Sequence, residues 1–591
     1  MSDEPNSIWK KPLRPSQLFW VWLILASVIT LIDAVVVLGQ PRNVQSFADW
    51  LWFILLVPLF GGLVSAGILL VYAFIRWLCC WRNLRRALFG LACFATLMAL
   101  FYAEEDWRGW HAWSQFKQKW EAKGEHFDFA SVVPAPVPDD QNFALTPIAF
   151  TSYGYILTRE GKKIPSEQRD PKFVQRIKME ATFEGQETTN RLGDRAKGTF
   201  ASLADWQGYY RTLAARTNVY PIPAQPQSPA ADVLLALSPY AAAIEELRAA
   251  SQLPYSRFPL DYDNENPAEI LLPHLAALKH CSSVLRLRSL AELQNGQTDQ
   301  ALADVTLTLR LTDKIRTEPC LISQLVRIAM LQIILQPVWE GLAERKWSDA
   351  QLGVLDAELT RLDFLPDYQL GMRSELGFQS GITTYLRHHP EQIFSINGNG
   401  DAGNPQNGSW LSGLVVHLVP GGWYYQNQLR AAQLMVKYYL PVADTNQGTF
   451  VPKTVREGEA TLFAETKTAT PYNTLERMMV PALGNCASKF AYAQASVDLA
   501  RTAVALERYR LAQGEFPAAL EGLAPQFIAR VPHDVIGGGP LKYRREANGL
   551  FTLYSIGWNE KDDGGVVVYT TGNTPKVDNK EGDWVWRYPA K

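Results

Sequence analysis

Residues 266–315 read "NPAEILLPHLAALKHCSSVLRLRSLAELQNGQTDQALADVTLTLRLTDKI", and this stretch decides the fold class. Its apolar residues recur at spacings of three and four, which is the period of an amphipathic helix. The pattern is broken only at Asn295–Gly296, a pair typical of a helix end. We therefore predict two helices joined by a tight turn.

The flanking sequence extends the helical pattern over residues 227–484. Ser228 followed by Pro229 is a good N-cap and first helical residue, and Ser348 with Gln351 has capping-box spacing. The step "LAELQNGQTDQALADV" (290–305) resembles a tetratricopeptide helical hairpin, but over one unit only. We predict a mainly α protein in which this region is a helical bundle or an irregular solenoid.

Composition limits the class of partner. The chain has 591 residues and a net charge of −2, which excludes a general nucleic-acid binder because such a protein needs a basic surface. The six cysteines form no CxxC pair and no Cys/His cluster, so a structural zinc site is not expected. Whether two of Cys281, Cys320 and Cys486 form a disulfide stays open.

Three apolar segments near the N-terminus, at about 18–39, 51–75 and 87–102, predict a transmembrane region over residues 1–103. A bilayer core about 30 Å thick needs roughly 20 helical residues, and the third segment is near the lower limit. Tryptophans cluster near the segment ends, as interfacial aromatics do. The alternative is a buried helical hairpin of a soluble protein.

Basic residues predict the topology. Lys10, Lys11 and Arg14 precede the first segment, and Arg76 to Arg86 supply four arginines before the third. The positive-inside rule then places the N-terminus in the cytoplasm and, with three spans, the large domain in the periplasm of a bacterial inner membrane. If the third segment does not span, the large domain is cytoplasmic. Asp33, inside the first segment, is interpreted as an interfacial or helix-packing residue.

Residues 104–226 are predicted as an amphipathic helix, a proline-rich linker or wrap, and an irregular region. An aromatic stripe from Trp107 to Trp120 has helical spacing, and "VVPAPVPDDQNF" (132–143) interrupts any helix. Further along, Gly398, Gly400 and Gly403 have GxGxxG spacing, but loop residues follow where a dinucleotide site needs a helix. The eight histidines are dispersed, so no catalytic residue is proposed from the sequence.

The last segment, 485–591, is predicted as an α+β domain with a small antiparallel sheet. A long helix ends at Gly514, and "LKYRR" and "GLFTLYS" form a hairpin with its turn at Asn548–Gly549. The motifs that follow one another here are "LERYRLAQGEFPAALEGLAP" (506–525), "VPHDVIGGGPLKYR" (531–544), "LYSIGWNEKDDGG" (553–565) and "GDWVW" (582–586).

In their order, these motifs resemble the globular domain of the major pseudopilins of type II secretion systems. The resemblance covers about residues 490–588. Residues 1–40 lack the basic leader and the early glutamate of true pseudopilins, so we do not expect the chain to be processed and polymerised as a pilin. The whole chain is similar to large bacterial membrane proteins that end in such a segment, and no activity comes with that similarity.

The resemblance implies calcium binding in the acidic loop. The positions that match the family's calcium loop are Ser555, Asn559, Asp562, Asp563 and Asp583. Calcium takes six to eight oxygen ligands, which a flexible acidic loop can supply. The alternative is a solvated acidic turn that needs no metal.

These observations favour a membrane-anchored, extracytoplasmic interaction or scaffold protein without enzymatic activity. Its expected partners are the lipid bilayer and other membrane or secretion-system proteins, the latter by fold-level analogy alone. The alternative is a membrane-bound hydrolase whose site lies in the helical domain, although no nucleophile–base or metal motif marks one.

Overall fold

The computed structural model describes residues 15–38, 47–78, 81–150, 155–157, 163–165, 192–216, 220–394, 416–481, 483–547, 549–572 and 575–587. The protein is mainly helical with small antiparallel sheets, which confirms the predicted class. The glycine-rich stretch at Gly398–Gly403 and the turn residue Asn548 lie outside the described residues. The chain divides into two compact units, Met1–Glu104 and Glu105–Lys591.

The α-helices are α1 Pro15–Leu38, α2 Phe47–Leu78, α3 Trp81–Glu121, α4 Pro147–Phe150, α5 Leu203–Arg216, α6 Pro229–Leu237, α7 Ala241–Ala250, α8 Pro273–Gln294, α9 Thr298–Asp313, α10 Leu321–Ala343, α11 Asp349–Thr360, α12 Phe364–His388, α13 Gly421–Leu434, α14 Pro452–Thr466, α15 Thr474–Met479 and α16 Leu483–Gln513. Short 3-10 turns connect several of them.

The strands are β1 Tyr155–Leu157, β2 Lys163–Pro165, β3 Ala443–Asp444, β4 Thr449–Phe450, β5 Lys542–Arg545, β6 Phe551–Ser555, β7 Val567–Tyr569, β8 Val577–Gly582 and β9 Trp584–Arg587. The pairs β1–β2, β3–β4 and β7–β8 are two-stranded, and β5–β6–β9 form a three-stranded antiparallel sheet. Lys542 opposes Tyr554 and Arg545 opposes Phe551, which confirms the predicted hairpin.

In the first unit, α1 packs against α2. The Trp22 indole N–H donates to the carbonyl oxygen of Gly62 at 3.2 Å. A Cβ on Gly62 would lie 3.7 Å from that indole, an ordinary contact distance. Helix α1 covers residues 18–38 of the first predicted membrane segment, and α2 extends beyond both ends of the second.

The second unit contains two large hydrophobic cores. The first core is formed by α5, α6 and α7 with parts of α8 and α9, and it includes Trp206, Val233 and Ile244. The other runs from Trp113 through α10, α11, α12 and α16 to the aromatic residues of β9. Helix α16 is buried along most of its length and contacts α10, α11, α12 and the strands β6, β8 and β9. The predicted boundaries at 226 and 484 both fall inside this unit.

Local signals correctly predicted several helix ends. Ser228 accepts the N–H of Ala231, and Ser348 with Gln351 forms the reciprocal capping box. Helices α8 and α9 break at Asn295–Gly296, where Gly296 has a φ of 76°. Gly514 follows the end of α16 with a φ of 87°, a conformation that side chains rarely adopt.

The third apolar segment and the aromatic stripe are one helix. Helix α3 is continuous over 41 residues, whereas the sequence suggested a membrane segment at 87–102 followed by a separate amphipathic helix. The stripe lies beyond residue 104, and the buried residues of α3, Glu105, Gly109 and Trp113, all belong to this part, within the second unit.

The described cysteines carry free thiols. Cys281 and Cys486 are buried and Cys320 is half-buried, and none of them is joined to another. Burial raises the pKa of the Cys281 thiol to about 12, so it stays protonated at neutral pH. The disulfide that the sequence left open is therefore absent among Cys281, Cys320 and Cys486.

Candidate functional site

The acidic loop lies between β6 and β7 and folds back onto Asp583, which precedes β9. Asp583 is buried, and its carboxylate accepts backbone N–H groups from Gly565 at 2.6 Å and from Asp563 and Val566 at 3.3 Å. Burial raises the pKa of Asp583, while these three N–H groups act in the opposite direction. The buried carboxylate thus closes the loop by hydrogen bonds to its backbone.

Asn559 and Asp563 lie together at the outer side of this loop. The Asn559 side-chain amide donates to Asp563 Oδ2 at 2.9 Å, and Asn559 Oδ1 accepts the Lys561 N–H at 3.1 Å. Since the Asp563 N–H bonds to Asp583, the structure brings Asn559, Asp563 and Asp583 into one connected group.

Asp562 has different partners. The Tyr554 hydroxyl donates to Asp562 Oδ1 at 3.0 Å, the Gly564 N–H donates to the same oxygen at 3.1 Å, and Lys542 Nζ lies 3.2 Å from Oδ2. These donors, the Tyr554 hydroxyl foremost, lower the pKa of Asp562. Lys542 already supplies the positive charge beside this carboxylate.

Ser555 points away from the loop, toward a second carboxylate. It is fully buried, and its hydroxyl donates to Asp534 Oδ1 at 2.7 Å. Asp534 also accepts the N–H groups of Ile536 and Ile556, both at 2.9 Å. Asp534 lies within the motif "VPHDVIGGGPLKYR", but the sequence gives no sign of its role, because Ser555 and Ile556 lie on another segment.

The oxygen set does not fit a calcium ion in this arrangement. Calcium needs six to eight oxygens directed at one point. Here N–H groups point at the oxygens of Asp583, Lys542 neutralises Asp562, and Ser555 is bonded to Asp534. Calcium binding at the five residues stays a prediction from the resemblance, and the hydrogen bonds favour a turn that is closed without metal.

A mixed cluster lies at the end of α3. Ligating atoms of Glu121, His126 and Asp128 all lie within 4.8 Å of one another, and the three side chains are exposed. One oxygen of Asp128 accepts the N–H of Ser131 at 2.8 Å and so caps a short 3-10 turn. The sequence gave no sign of this cluster beyond the proximity of His126 to Asp128. Its exposure and the capping bond are consistent with a solvated surface group.

The buried polar groups of the helical region form structural pairs. Arg327 is fully buried, forms a short ion pair with Asp367, and lies 3.6 Å from Asp313. Its guanidinium also donates to the carbonyl oxygen of Thr312 at 3.0 Å. These bonds fasten α10 to α9 and α12.

A buried serine and a buried histidine meet at one glutamate. His274 Nε2 lies 2.8 Å from Glu318, and the Ser323 hydroxyl donates to the other oxygen of the same carboxylate in a short hydrogen bond. The His274 ring stacks on Phe258 with 3.9 Å between centroids. A serine nucleophile is activated by a hydroxyl-to-imidazole hydrogen bond, whereas here the carboxylate lies between the two groups.

The part of α3 in the second unit is held by a set of contacts that we call the Glu105 clamp. It consists of Glu105, Asp106, Gly422, Trp423 and Tyr472. Glu105 is buried and accepts the Trp423 indole N–H at 3.1 Å and the Tyr472 hydroxyl at 3.0 Å. Asp106 accepts the N–H of Gly422 at 2.6 Å, at the start of α13. The clamp fixes α3 to the second unit just beyond residue 104.

Two helices of the described chain are long and apolar enough to cross a membrane, α3 and α10. In α10, 61% of the apolar stretch is buried, as in the core helix of a soluble protein. In α3 none of it is buried. Shorter apolar helical stretches, Phe19–Ile32 and Gly62–Ile75, occur in α1 and α2. The apolar surface of α3 therefore lacks protein cover among the described residues.

Comparison of the chain with protein-family models, curated proteins and solved structures finds no match. The resemblance of residues 490–588 to pseudopilins thus stays a prediction from the motifs.

Proposed function

We propose that this chain is a membrane-anchored protein whose second unit, Glu105–Lys591, works outside the membrane as an interaction domain. The observation that carries the proposal is the exposed apolar stretch of α3. Soluble monomers rarely expose large contiguous apolar patches, because the hydrophobic effect favours covering them. A lipid bilayer would cover this helix on all sides.

The length of α3 supports a complete crossing. Glu104 lies eighteen positions after Arg86, and at 1.5 Å per residue this part of the helix covers about 27 Å. The hydrocarbon core of a bilayer is about 30 Å thick. Exposed Trp107 and Trp110 follow the acidic end, as aromatic residues do at a membrane–water interface.

The charged residues at the two ends of α3 support one orientation of this helix in the membrane. Arg82, Arg85 and Arg86 lie in the first turns of α3, and Glu104, Glu105 and Asp106 lie beyond its apolar stretch. The positive-inside rule then assigns the arginine end to the cytoplasm. With α1 and α2 as the preceding spans, the N-terminus is cytoplasmic, the second unit is periplasmic, and the membrane is the bacterial inner membrane.

An interaction role fits the second unit better than hydrolysis. The Arg327–Asp367 pair and the His274–Glu318 pair are buried and hydrogen-bonded within each pair, which is the pattern of groups that hold helices together. Association with a secretion or pilus-type system is a narrower proposal, supported by the pseudopilin resemblance alone.

One substitution distinguishes a lipid-facing α3 from an exposed soluble helix. Leu97 is exposed, and Leu97→Lys would place a charge in the hydrocarbon core if α3 spans, at an insertion cost of about 2.5–3.5 kcal/mol. We expect the unaltered chain to stay in the membrane pellet after alkaline carbonate extraction, and the variant to insert less. If α3 faces water, Leu97→Lys should insert and fractionate like the unaltered chain. Lys119→Glu, an exposed change in the same helix beyond the clamp, is the control.

A further inference from the structure

One histidine and two carboxylates meet where α3 ends. Ligating atoms of Glu121, His126 and Asp128 all lie within 4.8 Å of one another. No other group of three His, Cys, Asp or Glu side chains in the described part of the chain is this close. Two ligands of one zinc ion, each about 2.0–2.2 Å from it, are at most about 4.4 Å apart. Small side-chain movements would therefore bring all three groups onto one ion.

The segment that follows α3 is anchored on its inner side. The Glu125 carboxylate accepts two N–H bonds from the Arg373 guanidinium, both at 2.9 Å. Phe127 is buried, and its ring centroid lies 5.4 Å from that of Trp113. Phe129 is buried as well. These contacts hold the backbone of the segment in place.

His126 and Asp128 lie on the outer side of the same segment. Buried and exposed residues alternate there, and Asp128 has an extended backbone with φ −110° and ψ 143°. Successive side chains of an extended chain point to opposite sides, so His126 and Asp128 share one face. Glu121, in the last turn of α3, completes the group. Because the backbone is already fixed, binding of an ion would cost little ordering.

Atoms that can ligate an ion are available in the group. Asp128 uses Oδ1 to cap the following 3-10 turn through the Ser131 N–H, at 2.8 Å, and its other oxygen has no hydrogen bond within the described ranges. His126 forms no hydrogen bond or ion pair with any described residue. One imidazole nitrogen and one oxygen of Asp128 are therefore free to bind an ion.

The local charge favours a cation. Glu121 and Asp128 supply two negative charges, and the carbonyl end of α3, where the helix dipole is negative, lies at Glu121. Lys117 Nζ lies 3.6 Å from Glu121, but both side chains are more than a third exposed. Exposed ion pairs contribute little free energy, so a divalent ion can displace this ammonium group from the carboxylate.

We propose that Glu121, His126 and Asp128 bind one divalent transition-metal ion of the zinc type. His126 would supply a ring nitrogen, each carboxylate one oxygen, and water the remaining position. Magnesium and calcium prefer oxygen ligands alone, so the imidazole selects against both ions. No cysteine takes part, and the inference depends on the second unit alone and not on the proposed membrane anchor.

The test is a titration of the untagged full chain with Zn²⁺ in detergent, by isothermal calorimetry after chelator treatment. We expect one saturable Zn²⁺ per chain that millimolar Mg²⁺ does not displace. Changes to the partners of metal ligands already cost about 10–100-fold in affinity, so His126→Ala should bind at least about tenfold more weakly. His111→Ala, an exposed histidine of α3 outside the group, is the matched control and should bind like the unaltered chain.

Two further variants separate the site from adventitious binding. Asp128→Asn keeps an oxygen that can cap the turn but loses the charge, and it should also bind more weakly. Lys117→Ala removes the competing ammonium and should bind about 2–5-fold more tightly. Melting temperatures without metal show that the variants remain folded.

Three results would overturn the proposal. The first is the absence of saturable Zn²⁺ binding, which would leave the three side chains as a solvated surface group. The second is equal affinity of His126→Ala and His111→Ala, which would mean adventitious binding elsewhere on the surface. The third is displacement of Zn²⁺ by millimolar Mg²⁺, which would exclude a site that depends on imidazole.

Discussion

Gly109 and Gly422 lie backbone against backbone: a Cβ atom on Gly109 would fall 2.4 Å from the carbonyl oxygen of Gly422. A Cβ on Gly422 would fall 2.0 Å from the carbonyl oxygen of Glu105. No side chain can occupy either position unless α3 and the start of α13 separate. The two glycines therefore permit the hydrogen bonds of the Glu105 clamp.

Gly109→Ala is expected to destabilise the second unit by about 1–3 kcal/mol, because overpacking pushes α3 from the clamp. The measurement is denaturant unfolding of the full chain in detergent. Gly208→Ala, in α5, is the matched control: its Cβ would meet nothing within 4 Å, so this variant should be up to about 1 kcal/mol more stable. Equal stability of the two variants would mean that the glycine contact is not needed.

Glu476 should make stability depend on pH. It is fully buried, neither carboxylate oxygen has a hydrogen-bond partner in the described part of the chain, and burial raises its pKa from 4.5 to about 7. The folded chain holds a proton that the unfolded chain releases, so stability falls as pH rises from about 4.5 to about 7.

Glu476→Gln isolates this effect from Glu340 and Asp498, whose pKa values are also raised to about 7 by burial. We expect melting temperatures of the variant and the unaltered chain to agree near pH 4.5 and the variant to be more stable at pH 8. Glu457→Gln, at an exposed position, should show no such difference. Parallel pH profiles of Glu476→Gln and the unaltered chain would rule out the assignment.

Removing Arg327 alone should destabilise the protein much more than removing both Arg327 and Asp367. Arg327→Met leaves Asp367 with only its contact to Arg316, and we expect a loss of about 3–5 kcal/mol. Arg327→Met combined with Asp367→Leu removes both charges and should recover most of that stability. Chemical denaturation of the two variants decides this, and a double variant no more stable than the single one would argue against the pair.

Calcium should not stabilise the acidic loop. Because N–H groups and Lys542 already occupy the oxygens of Asp583 and Asp562, we expect no change in melting temperature between millimolar calcium and chelator. A chelator-sensitive rise that is lost in Asp562→Ala/Asp563→Ala would instead establish the calcium site implied by the resemblance.

Substitution of Asp534 should lower the stability of the C-terminal sheet more than substitution of Asp562 in the acidic loop. Asp534→Ala removes three hydrogen bonds to a buried carboxylate, and we expect a loss of about 2–4 kcal/mol. Asp562→Ala, at an exposed position, should cost less than about 1 kcal/mol. Unfolding curves of the two variants would contradict this order if Asp562→Ala were the more damaging.

Features formed by neighbouring residues could be predicted from the sequence, whereas contacts between residues far apart in the sequence could not. The capping box at Ser348 and the turn at Gly296 involve neighbours in sequence, so both could be predicted. The Glu105–Trp423 bond spans 318 residues, and the sequence around Glu105 gives no sign of this partner.

Labelling of single cysteines along α3 tests the central claim, that α3 crosses a membrane, most directly. In a chain whose native cysteines are replaced, Arg82→Cys, Ala95→Cys and Gln118→Cys are treated with a membrane-impermeant maleimide in intact spheroplasts, after lysis and after detergent. All three positions are exposed in the structure, so the fold itself does not shield them. The account predicts labelling of position 118 in intact spheroplasts, of position 82 only after lysis, and of position 95 only in detergent. Labelling of position 95 without detergent, or of positions 82 and 118 from the same side, would contradict it.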